Sequence, residues 1–246
     1  MRVHRIHTVQ NLQPGAEIVL EERSSHYLGR VLRLAPGQAV VLFNGDGHDY
    51  AAEILSPARR GMALRVDSRL PGLPEPPLDI TVAQAVSRGE RMDQTLQKCT
   101  ELGAATFQPL LSERVEVRLG RDKLTRRMEH WRGVVISACE QSGRSRVPEV
   151  CEPMGLADWL GRPARAKRLV LDPAADVALV RAALDFGPGE PVEIAAGPEG
   201  GFTETELTQM SARSVLPVSL GPRILRTETA APAAVAVLQS LLGDLR

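Results

Sequence analysis

The chain has 246 residues, of which 43% are apolar and 24% are charged, values that are ordinary for a globular protein and exclude an intrinsically disordered chain. Its 30 basic and 30 acidic residues cancel, which excludes a strongly basic nucleic-acid-binding protein but leaves room for a local basic face. The three cysteines are far apart, so we expect no disulfide framework and no metal site, and a cytoplasmic location. No apolar run approaches the ~18 residues of a membrane span, so no membrane partner is expected.

The first 70 residues predict short strands joined by tight turns. Pro14-Gly15 and Pro36-Gly37 are turn pairs, and Asn44–Gly47 lies between two strand-like runs, which is a hairpin signal. A helical segment is predicted from Ser24 to Leu34. A small β-barrel is the expected product of such strands at this size.

Four prolines within Pro71–Pro77 predict a stiff linker, because proline neither continues a helix nor donates to a sheet. We therefore expect one domain at 1–71 and a second at 78–246. In the second, strands and helices alternate, which predicts an α/β fold with a parallel sheet and crossover helices. The predicted strands are 78–85, 107–111, 168–171, 192–196 and 215–220; the predicted helices end near 103, span about 121–141 and 176–184, begin at 203, and form the C-terminus.

The segment VEIAAGPEGGFTETEL predicts a buried strand that ends at Ala196 and a glycine turn at Gly197–Gly201. Thr203 and Glu206 have the spacing of a capping box that opens the next helix. Ligands bind beyond the carboxyl ends of parallel strands, where glycine lets the backbone approach closely. The spacing is neither GxGxxG nor a P-loop, and an ordinary strand-to-helix turn is the alternative interpretation.

A second segment, 215–230, also runs from a strand into a glycine, Gly221, and then carries Arg223, Arg226 and Glu228 before an apolar helix. Two arginines and a carboxylate at a strand's carboxyl end could bind an anion and accept a proton. A solvated loop with an Arg–Glu pair is the alternative. Two such loops after successive strands favour one shared pocket.

Together these segments resemble the signature of the SPOUT methyltransferases, and specifically of the RsmE-type enzymes. Further motifs extend the resemblance over nearly the whole chain: Arg2–Ile6, Asn44–Gly47, Lys98–Gly103, Ser112–Arg114, Trp131, Glu140–Arg144 and Pro148.

The resemblance implies a PUA-like barrel that helps to hold RNA, followed by a knotted parallel sheet with a deep C-terminal trefoil knot, an exception to the usual absence of knots. It implies a homodimer that uses S-adenosylmethionine to methylate N3 of a specific uridine in 16S rRNA of the small ribosomal subunit. The cofactor would lie against the knot loops. The expected cofactor-binding residues are Leu171, Gly197, Glu199, Gly200, Leu220, Gly221, Ile224, Leu225 and Ala230.

The chemistry of the step suggests roles for three residues. Uridine N3 is a poor nucleophile until its proton leaves, so the site needs a proton acceptor and a group that stabilises the resulting negative charge. Arg226 is the candidate for stabilising that charge, because arginine stays protonated. Glu228 or Glu140 is the candidate proton acceptor.

The expected RNA contacts are basic side chains. Residues 112–146 carry nine basic and five acidic residues, a local excess that could follow phosphates, although it also fits a solvated helix. The candidates are Arg2, Arg5, Arg33, Arg88, Lys98, Arg114 and Arg144.

Three other functions stay open from the residues alone. A SPOUT enzyme with another RNA target is the nearest alternative. A non-catalytic RNA-binding protein would have little need of the glycines at 197, 200, 201 and 221. A nucleotide-dependent oxidoreductase lacks its glycine fingerprint.

Overall fold

The computed structural model describes residues 3–58, 61–115, 121–187 and 189–245. The chain forms two compact units. The first consists of Met1–Glu75 together with Ile136–Val147, and the second of Pro76–Val135 and Pro148–Arg246. The first unit is therefore built from two separate stretches of the sequence, and Arg2 lies outside the described residues.

The first unit is organised around a five-stranded sheet of order β1-β3-β4-β5-β2. Strand β1 is parallel to β3, and the other pairs are antiparallel. Its strands are β1 (His4–His7), β2 (Glu17–Val19), β3 (Ala39–Phe43), β4 (His48–Ala58) and β5 (Gly61–Pro71).

The predicted hairpin is confirmed, since residues 44–47 join the antiparallel strands β3 and β4. Gly45 and Gly47 have φ values of +89° and +91°, which glycine adopts without strain. The predicted helix at 24–34 is shorter and begins earlier: α1 (Glu22–His26) continues into a π-helical turn at Tyr27–Val31.

The second unit contains a six-stranded, wholly parallel sheet of order β13-β11-β12-β6-β7-β9. The α/β class with a parallel sheet is thus confirmed. Its strands are β6 (Ile80–Gln84), β7 (Thr106–Phe107), β9 (Glu149–Val150), β11 (Lys167–Leu171), β12 (Val192–Ala196) and β13 (Leu216–Val218). A separate parallel pair consists of β8 (Leu110–Leu111) and β10 (Met154–Gly155).

Six further helices complete the described structure: α2 (Arg91–Glu101), α3 (Arg121–Ser142), α4 (Leu156–Gly161), α5 (Leu179–Ala183), α6 (Glu204–Ala212) and α7 (Thr227–Leu242). Helix α7 packs against α2, α5, β6 and β12. It contains Pro232, which cannot donate a hydrogen bond to the carbonyl of Glu228 one turn earlier. No described helix is both long enough and apolar enough to cross a membrane.

Proline explains two differences from the predicted strands. The strand predicted at 107–111 is divided between β7 and β8, with Pro109 between them, since a proline has no N–H for the ladder. Strand β13 is shorter than the predicted 215–220 and contains Pro217, which fits its place at the edge of the sheet.

The strand register brings four carboxyl ends to one edge of the sheet. Ala196 pairs with Gln84, Val170 with Ala195, and Leu171 with Val218. The central strands are buried on both faces, as expected when helices cover a parallel sheet. The loops that follow β6, β11, β12 and β13 therefore leave the sheet side by side.

A buried ion pair lies near the amino ends of β11 and β12. Arg168 Nε donates to Glu193 Oε2 at 2.7 Å, and Trp159 Nε1 donates to Glu193 Oε1 at 2.6 Å. The Arg168 guanidinium also lies 4.6 Å from the centre of the Trp159 ring. Only 6% of the Arg168 side chain and 14% of the Glu193 side chain is exposed.

We predict that Arg168→Met lowers the free energy of unfolding by about 3–5 kcal/mol, because it leaves the buried Glu193 carboxylate without its counter-charge. Urea titration measures the change. The control is Lys167→Met, which removes an adjacent cation whose side chain is 51% exposed and whose pairing with Glu190 should contribute about 1 kcal/mol or less. Equal effects of the two substitutions would contradict the prediction.

Candidate functional site

A cavity of about 400 Å³ lies at the carboxyl edge of the parallel sheet, in the second unit. Its lining comes from the ends of β11, β12 and β13 and the loops that follow them, together with Leu207 of α6 and the starts of α2 and α7. The lining residues are Arg91, Leu171, Asp172, Pro173, Ala196, Gly197, Pro198, Glu199, Gly201, Phe202, Leu207, Val218, Leu220, Arg223, Ile224, Leu225, Arg226, Thr227, Glu228 and Ala230.

The glycine turn after β12 forms one side of this cavity. A Cβ on Gly197 would lie 3.1 Å from Gly201 Cα and 3.2 Å from Phe202 N, so the close return of the backbone favours glycine here. Gly201 has a φ of +67°, which also favours glycine. This local geometry is what turns the chain back over the end of β12.

The predicted capping box of α6 is confirmed. The Thr203 hydroxyl accepts from Glu206 N at 3.2 Å, and the Glu206 carboxylate accepts from Thr203 N at 2.8 Å. The buried Glu206 also accepts from Glu113 N at 2.8 Å, while Arg114 Nη1 donates to Gly200 O at 2.6 Å. The segment at 113–114 is thereby fixed against the glycine turn.

The loop between β13 and α7 forms the other side. Gly221 has a φ of +89°, and Ile224 is 86% exposed although it lines the cavity. Where the loop enters α7, the Thr227 hydroxyl donates to Gly197 O at 2.7 Å and accepts from Gln84 Nε2 at 3.1 Å. The two loops are therefore joined directly beneath the cavity.

The cavity combines apolar walls with both signs of charge. Glu199 Oε1 accepts from Arg88 N and from Arg91 Nη1, each at 2.9 Å. Burial alone would raise the pKa of Glu199, but the backbone N–H groups of Glu199 and Arg88 and the Arg91 guanidinium outweigh it and lower the pKa below its usual value. Glu199 is thus held as a carboxylate at neutral pH.

Most of the expected cofactor-binding residues come together here. The cavity is lined by Leu171, Gly197, Glu199, Leu220, Ile224, Leu225 and Ala230, and also by the candidate catalytic residues Arg226 and Glu228. Gly200 and Gly221 belong to the same turns but are not part of the lining. Sequence reasoning missed Arg91, Asp172 and Phe202. The position of Arg91 and Asp172 just after the predicted strands 78–85 and 168–171 was the signal that could have found them.

Glu140 does not line this cavity and belongs to the first unit. There its Oε1 accepts from the backbone N of His7 at 3.0 Å. Burial raises the pKa of Glu140, and the His7 N–H and the charges of Arg23 and Arg5 lower it without cancelling the effect. These contacts give Glu140 a role in holding α3 residues against β1.

The basic residues expected to contact RNA fall into two groups. Arg5 and Arg144 are internal: Arg5 pairs with Asp49, and Arg144, which is 4% exposed, pairs with Glu75. The other described candidates are exposed at the surface: Arg33, Arg88, Lys98 and Arg114.

Some of the exposed group already have partners within the fold. Lys98 pairs with Glu101 at 3.0 Å, and Arg114 contacts Gly200 as described. Contact of any of them with RNA stays a prediction. Among the described residues, no cluster of His, Cys, Asp and Glu could hold a metal ion.

We predict that Glu140→Gln stabilises the protein at neutral pH. Because the folded state raises the pKa of Glu140, ionising this carboxyl lowers the stability of the fold. The loss is absent below the usual pKa of 4.5, where the carboxyl is protonated in both the folded and the unfolded state. It develops as pH rises from that value through the folded pKa. The amide keeps an acceptor for His7 N–H and cannot ionise. Thermal unfolding at several pH values should show the variant gaining on the wild type as pH rises above 4.5, the usual value for this carboxyl; a gap independent of pH would contradict this account.

Two family models match the chain. A model described as an RNA methyltransferase domain matches residues 74–239, and one described as an RNA methyltransferase PUA domain matches residues 20–67. The first covers well over half of the sequence.

Relatives and solved structures agree with these matches. Ribosomal RNA small subunit methyltransferase E of Buchnera aphidicola (from Schizaphis graminum) is 32% identical over 99% of this chain and 98% of its own, and that of a Synechocystis strain is 35% identical over 92% and 74%. The structure of a Legionella pneumophila methyltransferase in complex with the cofactor SAM has a TM-score of 0.93 and 38% identity, with both chains fully covered. That of ribosomal RNA small subunit methyltransferase E from Neisseria gonorrhoeae, bound to S-adenosyl methionine, has a TM-score of 0.90 and 35% identity, again over both whole chains. The resemblance that the motifs indicated is confirmed, and this chain belongs to the ribosomal RNA small subunit methyltransferase E family.

Proposed function

We propose that this protein transfers the methyl group of S-adenosylmethionine to N3 of a specific uridine in 16S rRNA of the small ribosomal subunit. One observation carries the proposal: the two glycine loops form a single charged and apolar cavity at the carboxyl edge of the parallel sheet. Structures of family members that hold S-adenosylmethionine match this chain over its whole length.

The residues of the cavity fit this cofactor. The side chains of Leu171, Leu220 and Leu225 offer apolar walls for an adenine ring, and the carboxylates of Asp172 and Glu199 suit a cofactor with a sulfonium and an ammonium group. The close turn at Gly197 leaves backbone rather than side chain facing the ligand. When bound, the cofactor supplies an activated methyl group on a positively charged sulfur.

The nucleotide requires a base and a stabiliser of negative charge. Glu228 lines the cavity and is the proposed acceptor of the N3 proton, in preference to Glu140, which does not line it. Arg226 lines the same cavity, stays protonated, and is proposed to stabilise the charge that spreads over N3 and the flanking carbonyl oxygens. Orientation of the two reactants would supply much of the remaining acceleration.

Each unit carries exposed cations that are proposed to contact RNA: Arg33 in the first unit, which would serve as the PUA domain, and Arg88, Lys98 and Arg114 in the second. A homodimer is proposed as well. It is supported by the apolar side chains of Val177, Val180 and Leu184, which are 36%, 51% and 63% exposed around α5.

The proposed trefoil knot in the C-terminal part is supported by the order of the strands. Strand β12 lies between β11 and β6, and β13 pairs with the other side of β11. Helix α7, which follows β13, packs on β6, β12 and α2. The bond between Thr227 and Gly197 joins the two loops through which such a path would pass.

The proposal is tested by offering the protein labelled S-adenosylmethionine with unmethylated small subunits and, separately, with free 16S rRNA. We expect label in N3-methyluridine. Label in another nucleoside would identify a different target atom, and label only in another RNA would identify a different substrate. Cofactor binding without transfer to any RNA, or no cofactor binding, would overturn the enzymatic assignment in favour of a non-catalytic RNA-binding protein.

We predict that Gly197→Ala weakens binding of S-adenosylmethionine by about tenfold, because forcing a methyl group against backbone atoms costs about 1–3 kcal/mol and displaces the turn. Isothermal titration calorimetry measures the change. Gly161→Ala is the control, since a Cβ at that position meets no atom within 4 Å. Unchanged affinity in Gly197→Ala would remove the turn from the cofactor site.

We predict that Arg226→Ala and Glu228→Gln each lower kcat by about 10²-fold or more, the range of general-base and charge-stabilising groups. Cofactor affinity should change much less in both. Glu204→Gln, an exposed carboxylate on α6 that does not line the cavity, is the control. Wild-type rates in both site variants would show that their assigned roles are wrong.

A further inference from the structure

Arg91, the first residue of α2, contacts a carboxylate from each of the two cavity loops. Its Nη1 lies 2.9 Å from Glu199 Oε1 in the glycine turn, and its Nε lies 3.7 Å from Glu228 Oε2 in the first turn of α7. The Arg91 side chain is 39% exposed, whereas the Glu228 side chain is 14% exposed. One cation therefore lies between two loops that are far apart in the sequence.

Glu228 meets Arg91 at ion-pair distance, without a hydrogen bond between them. Its Oε2 atom is buried and accepts no hydrogen bond from the described residues. Charged groups that line the same cavity are Arg91, Asp172, Glu199, Arg223 and Arg226. Of the cations that the structure describes, Arg91 is the one with a nitrogen within 4 Å of the Glu228 carboxylate.

Arg91 is itself held in place. Glu199 Oε1 accepts from Arg91 Nη1 and also from the backbone N of Arg88, each at 2.9 Å. The chain of contacts thus runs from the backbone before α2, through Glu199 and Arg91, to Glu228. A guanidinium suits this place because its separate nitrogens reach two carboxylates at once, which the single ammonium of lysine cannot do in the same way.

We propose that Arg91 is a positioning residue for the methyl transfer, which holds the Glu228 carboxylate in the orientation needed to accept the proton of the nucleotide. The inference rests on the proposed function of this cavity. Arg91 acts through Glu228, so its loss should slow the transfer while leaving the apolar and glycine surfaces that hold the cofactor unchanged.

The test compares Arg91→Met, Arg91→Lys and Glu228→Gln by kcat, by KM for the RNA and by Kd for S-adenosylmethionine. We expect Arg91→Met to lower kcat about tenfold or more, a part of the roughly 10²–10⁴ that a positioned base contributes. KM and Kd should stay within about threefold of the wild type, the pattern of an interaction needed for the transition state. Arg91→Lys should recover part of kcat, because it restores the charge without the bridge.

The double variant Arg91→Met/Glu228→Gln separates positioning from general damage. If Arg91 acts through Glu228, removing it from the Glu228→Gln protein should slow the reaction by less than about twofold, since coupled residues are not additive. Arg213→Met, at the exposed end of α6 and outside the cavity lining, is the charge-matched control and should keep the wild-type kcat.

Each other outcome overturns the inference. A normal kcat in Arg91→Met beside a slow Glu228→Gln excludes a positioning role while the proposed function stands. A full additional loss in the double variant, or a parallel rise of Kd and fall of the melting temperature in both Arg91 variants, makes the effect structural. A wild-type protein that transfers no methyl group removes the proposed function, and the inference with it.

Discussion

The hydrogen bond from the Thr227 hydroxyl to the Gly197 carbonyl, 2.7 Å long, is the contact on which the cavity depends. It joins the glycine turn after β12 to the first residue of α7, and Gln84 at the end of β6 donates to the same hydroxyl. Because all three groups are at the carboxyl edge of the sheet, the register of the parallel strands sets the distance between the loops. Glu199 and Glu228, the two carboxylates that contact Arg91, lie on the two segments that this bond joins.

Local signals were sufficient for much of the fold and for the centre of the site. Glycine turns, the capping box at Thr203 and Glu206 and the alternation of buried strands with helices are properties of short segments, and the structure has them where they were predicted. The expectation of one pocket needed one further rule, that parallel strands end at the same edge. Strand lengths were less predictable, because Pro109 and Pro217 act through the ladder of neighbouring strands.

Residue roles that depend on distant partners could not be predicted from the sequence. Glu140 has the chemistry of a base, yet its partner is the backbone N–H of His7, more than a hundred positions earlier in the chain. Arg5 and Arg144 were predicted to contact RNA, and the fold adds ion pairs with Asp49 and Glu75 that the sequence did not indicate. An arginine that binds RNA and an arginine that pairs inside a domain have the same local sequence signal, and only tertiary contacts separate them.

The proline within α7 has a consequence for how the site is held together. Helices are normally rigid because every carbonyl in the first turns is paired four residues later, and residue 232 cannot provide that pairing for Glu228. The amino end of α7 thus lacks one backbone hydrogen bond of a regular helix, and contacts with other elements, at Gly197 and Arg91, also hold it. The remainder of the helix is anchored in the core through Ala234, Val235 and Leu238. The amino-terminal half of α7 thus positions residues of the site, and its carboxyl-terminal half contributes to the stability of the fold.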